Sequence, residues 1–169
     1  MPNIKIADLI AVKKWDQIQN LMIYDNNLYD ASKEKWVRKV SYPKTIIPSS
    51  QESFEKFMDI MNITQDESTS FITLTIKHPS PYFAKELNEL IVKKINESMR
   101  NEDKITTTKS IDFLSDQLSR VNYEEIQQSL SSLVEEQMKS LMLIEVNDNY
   151  ILKVIDSPLI SEPICVHVL

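Results

Sequence analysis

The chain predicts an α+β fold, a small, partly antiparallel sheet base with a long helical hairpin arm. Three observations carry this expectation. Phe71-Ile72-Thr73-Leu74-Thr75-Ile76 alternates with the period of a half-buried strand. Between Pro81 and Pro158 there is neither proline nor glycine, and glycine is absent from all 169 residues, so nothing in that stretch forces a helix to stop. A second apolar segment, Tyr150-Ile151-Leu152-Lys153-Val154-Ile155, follows the turn cluster Asn147-Asp148-Asn149 and is expected to re-enter the sheet as a closing strand. The chain is read as a single domain, with the base at 1–79 and 150–160, the arm at 80–149 and an irregular tail at 161–169.

Taken in order, the apolar positions Ile6, Leu9, Ile10, Ile18, Leu21, Met22 and Leu28 fit an amphipathic helix over 6–29, with a break allowed at Trp15-Asp16. Pro43 and Pro48 mark 30–48 as loop. Ser49 and Glu52 have the spacing of a capping box and open a short helix with Phe54, Phe57, Met58 and Met61 on its apolar face. Asn62-Ile63-Thr64 begins a strand that turns through 65–70 and pairs antiparallel with Phe71–Ile76.

Ser80 is suited to cap the long helix, and Pro81 to fill its first position, where a missing N–H costs nothing. Phe83, Leu87, Ile91, Ile95 and Met99 recur every four residues. The first members, Leu87, Ile91 and Ile95, are expected to face the base or the return helix. From Arg100 to Lys109 only Ile105 continues the stripe, and Thr106-Thr107-Thr108 is a weak helix former. Continuity is favoured there, and a break would fall at the threonines. Asn122 and Glu125 have capping spacing, so a second helix is expected beyond them. Its seam would be Ile126, Leu130, Leu133, Gln137, Leu141 and Ile144. Gln137 is the polar member and a candidate for a contact between chains.

Composition excludes more than it assigns. Phosphate loops, dinucleotide fingerprints and nucleophile elbows require glycine, and this chain has none. The single Cys165 cannot form an internal disulfide, and His78 and His167 are the only histidines. His78, before a proline at a strand end, reads as structural or solvent-exposed, and His167 falls in a terminus expected to fray. No catalytic, cofactor-binding or metal site is assigned, and a non-enzyme is expected. Residues 80–150 hold eight basic and thirteen acidic side chains of a chain at −6 overall, which disfavours a nucleic-acid partner. No run of 18 apolar residues is present, and Met1-Pro2-Asn3-Ile4-Lys5 lacks the layout of a signal peptide.

The block Thr73–Pro81, the helix Phe83–Arg100 and the closing segments Leu141–Val146 and Lys153–Asp156 resemble the periplasmic domain of Wzz-type polysaccharide chain-length determinants, the polysaccharide co-polymerases. The resemblance spans about residues 5–160 and is most specific from 71 to 158. It implies an α+β base at the inner membrane with a helical hairpin projecting into the periplasm. It also implies homo-oligomeric assembly and control of O-antigen or related glycan length beside a separate polymerase. It implies no catalysis, and the glycan-contacting residues remain unnamed. Members carry a transmembrane helix before the domain and a proline-rich segment and second transmembrane helix after it. Only Pro158 and Pro163 match that proline signature, so a domain truncated at both ends is expected, with membrane attachment only through segments missing here. Two other readings stand beside this one: a helical adaptor binding a protein through the 126–144 seam, and the periplasmic module of a capsule-export tyrosine kinase.

Overall fold

A computed structural model describes residues 4–147, 150–156 and 166–168. The fold is α+β, with small antiparallel sheets followed by two long helices that form a hairpin. It comprises two units, one of residues up to Ile91 together with those from Val154 onward, the other of Val92–Lys153.

The first unit opens with helix α1 (Ile6–Ile10), followed by strands β1 (Val12–Asp16) and β2 (Leu21–Tyr24). The helix expected over 6–29 is therefore a single turn and a hairpin. The reason is local and polar. Asp16 Oδ1 accepts the backbone N–H groups of Ile18 and Gln19 at 2.8 and 3.2 Å, and Asn20 takes a positive φ of 51°. Asp and Asn stabilise such turns through these bonds and tolerate the left-handed region. Ile18, counted on the helix face, is 95% exposed at the turn. A second hairpin pairs β3 (Tyr29–Asp30) with β4 (Lys35–Trp36), where the end of that helix and the start of a loop were expected. Tyr29 packs with Ala7, Ala11 and Trp36 into a small core.

Helix α2 (Ser50–Ile60) begins at the expected capping box. Ser49 Oγ accepts the Glu52 N–H at 3.2 Å and Glu52 Oε2 accepts the Ser49 N–H at 3.0 Å. Strands β5 (Met61–Gln65) and β6 (Ile72–Ile76) form the expected antiparallel hairpin, Met61 opposite Ile76 and Gln65 opposite Ile72. Asp66 Oδ1 holds the connecting turn by accepting the N–H groups of Ser68 and Thr69, both at 2.8 Å. Ile76 is fully buried, in a core with Ile60, Phe83, Ala84 and Leu87.

Strand β7 (Val166–Val168) pairs with the other side of β6. The third strand of this sheet therefore comes from the segment read as a fraying tail, not from Tyr150–Ile155. Residues 150–156 form no strand. Cys165 lies outside the described residues, as does the side chain of His167.

Helix α3 (Pro81–Arg120) is unbroken for 40 residues, about 60 Å at 1.5 Å per residue, and passes through the threonines as expected. Ser80 caps it, its Oγ accepting the Phe83 N–H at 3.3 Å. After Val121–Tyr123 comes α4 (Glu124–Val146). The Asn122–Glu125 cap does not form. Tyr123 occupies the capping position without a side-chain bond, and Gln127 Nε2 reaches back to the Val121 carbonyl at 2.6 Å.

Candidate assembly surface

In the second unit the buried positions of α3 are Val92, Asn96 and Thr107, with Asp103 half-buried among them. This face is more polar than an apolar seam, and its side chains are occupied by the chain beyond α4. Asn96 Oδ1 accepts the Ile151 and Leu152 N–H groups at 3.0 and 2.8 Å, and its amide donates to the Leu152 carbonyl at 2.8 Å. The Tyr150 hydroxyl donates to Asp103 Oδ2 at 2.7 Å, Arg100 donates to the Asn147 carbonyl, and Lys104 pairs with Glu145. These bonds explain why 150–152 is not a strand. Backbone groups that a sheet would satisfy are satisfied by side chains of α3 instead. Ile95, expected to be covered, is 39% exposed, whereas Leu87 is buried and Ile91 packs against the core of the first unit.

On α4, Ile144 is buried and Leu130, Val134, Gln137 and Leu141 are half-buried. Ile126 and Leu133, assigned to the seam, are exposed, and Val134 takes the place of Leu133. Gln137 lines a cleft of about 310 Å³ with Asp103, Thr107, Ser140 and Tyr150, so it faces its own chain. Met138, Met142 and Val146, four residues apart, form a row that flanks the buried face of α4 and winds away from it, and all are exposed, Met142 by 67%.

His78 and Asp8 are engaged structurally. His78 is buried, with Nε2 at 2.9 Å from the Asp8 carbonyl, while Nδ1 accepts the Ser80 N–H at 3.1 Å. These bonds select the neutral ring protonated on Nε2. Burial pushes its pKa below the usual value. Asp8 in turn accepts from the Tyr24 hydroxyl at 2.6 Å and from the Lys5 N–H at 3.1 Å. Among the described residues no group of His, Cys, Asp and Glu is placed to hold a metal ion. Among them, too, no helix is long and apolar enough to cross a membrane.

The first unit also carries an open concavity of about 560 Å³ bounded by Asn26, Asn27, Leu28, Val37, Lys39 and Lys44. These residues fall in stretches read from sequence as a helix end and a loop. The available signal was the run Arg38-Lys39 with Lys44 close behind. Comparison with known families, curated proteins and solved structures finds no match for this chain.

Proposed function

We propose that the chain is a non-catalytic assembly module of the polysaccharide co-polymerase type. In this reading it acts as a homo-oligomer at the periplasmic face of the inner membrane and sets the length of a surface glycan made by a separate polymerase. The observation that carries the reading is α3, an unbroken 40-residue helix that starts directly from the β5–β6 hairpin and returns through α4. An arm of this length is a spacer and a contact surface. The exposed row Met138, Met142 and Val146 adds apolar area suited to a protein neighbour.

The same row favours the adaptor as a second reading, since it fits an unlike protein as well as another copy. The two separate in a glycan-synthesis host. The chain, placed between the transmembrane segments of a characterised co-polymerase, is expected to shift the modal glycan length in a strain lacking its own determinant. An adaptor would bind a protein and leave the glycan ladder as it was.

A further inference from the structure

The concavity of the first unit has walls held by bonds that leave Lys39 at its rim unpaired among the described residues and Lys44 in a long contact with Glu52. Arg38 braces one wall. Its Nε donates to the Ile46 carbonyl at 2.8 Å and its Nη2 to the Thr45 carbonyl at 2.5 Å, while Nη1 and Nη2 fork onto Glu52 at 2.9 and 2.7 Å. Such a bidentate pair fixes geometry as well as charge. The two walls are tied together where the Val37 N–H meets the Leu28 carbonyl at 3.0 Å. On the other wall, the Asn27 N–H donates to Asp25 Oδ1 at 2.9 Å, closing a turn that leaves the side chains of Asn26 and Asn27 exposed.

With Arg38 occupied, the usable cations are Lys39 and Lys44. Lys39 is exposed. Lys44 lies 3.8 Å from Glu52 Oε1, whose charge is already shared by the Arg38 fork. Among the described residues no carboxylate lines the concavity, and Leu28, Val37 and Val40 give it apolar surface. The site thus combines two ammonium groups, two amides that both donate and accept, and aliphatic walls. Its volume is within the range of small-molecule sites, roughly 300–1,000 Å³. A bare inorganic anion would use the lysines and leave the amides and aliphatic walls idle. A sugar acid matches all three, with carboxylate, hydroxyls and C–H faces.

We propose that this concavity binds an acidic oligosaccharide, with Lys39 and Lys44 holding its carboxylates and Asn26 and Asn27 its hydroxyls. The preference for a saccharide over other polyhydroxylated acids rests on the co-polymerase reading, whereas the preference for an anion rests on the site alone.

The test is titration of the isotopically labelled chain with tetragalacturonate, followed by amide resonances, with maltotetraose and inorganic phosphate as parallel arms. Tetragalacturonate is expected to shift residues 26–28 and 37–44 saturably, and to do so less at higher salt. The double variant Lys39→Gln/Lys44→Gln, exposed and remote from the core, should keep its fold and bind about tenfold or more weakly. Phosphate and the neutral tetrasaccharide should move these amides little. The proposal is overturned by no saturable shift, by equal binding to the double variant, or by phosphate or maltotetraose acting as strongly as the uronate. Binding measured this way is independent of glycan length. Intact uronate binding with an unchanged glycan ladder would remove the co-polymerase reading and leave the site.

Discussion

His78 occupies a position that disfavours a charge. Its ring bonds to the Asp8 carbonyl and the Ser80 N–H, and burial is the main cause of its lowered pKa. The unfolded ring therefore protonates first as pH falls, so the stability tied to neutral His78 is complete above about pH 6.5 and declines below it. A second loss lies lower. Glu52, held down chiefly by the Arg38 hydrogen bonds, and Asp66, held down chiefly by the Ser68 hydroxyl, both titrate at about 2. Their contributions are full above the ordinary carboxylate range and disappear as pH drops from there towards 2. Thermal melts across pH should thus show two acid steps. His78→Gln should lower the melting temperature at pH 7, by about 1–3 kcal/mol of lost bonding, and should flatten the upper step alone. A wild-type melting temperature constant from about pH 7 to 5 would contradict a neutral, buried His78. Its place before Pro79 left a structural and a solvent-exposed role both open for this histidine, and burial decides for the first. Its partner was not legible, because Asp8 lies 70 residues away and no local pattern connects them.

At the scale of elements, the features read correctly were those whose cause is local. The Ser49–Glu52 box, the β5–β6 hairpin and the continuity of α3 each depend on residues within a few positions of one another. The features misread depend on side-chain capture. Asp16 and Asn20 make a turn where apolar spacing suggested a helix, and Asn96 draws 150–152 away from the sheet. Asn96→Leu should leave two N–H groups and a carbonyl without their partner, costing about 1–3 kcal/mol per group before water re-enters. Amide exchange at Ile151 and Leu152 should rise sharply in that variant; unchanged exchange would mean that the segment is held by something else. Within α3, exchange should be faster over 100–109 than over 84–98. Ile105, Thr106 and Thr108 are exposed and add little packing there, whereas Phe83, Ala84 and Leu87 are buried. Equal strong protection along both stretches would contradict this difference.

Across the whole molecule, a charge of −6 keeps copies apart in solution while the exposed row on α4 offers them, or another protein, apolar area. The balance predicts a monomer or weak oligomer for the free chain at low concentration, with assembly emerging once membrane attachment raises the effective concentration. Sedimentation of the free chain against cross-linking of a membrane-inserted chimera measures this, and a tight free oligomer would contradict it. No pattern in one sequence states what such an assembly acts on. The most direct measurement is therefore the surface-glycan ladder of a host lacking its own determinant, supplied with the chain between co-polymerase transmembrane segments. A new modal length is expected, altered again by replacing Met138, Met142 and Val146 with glutamine while polymerisation continues. A ladder identical to that of the uncomplemented host, from a chimera proven inserted and oligomeric, would contradict the chain-length account.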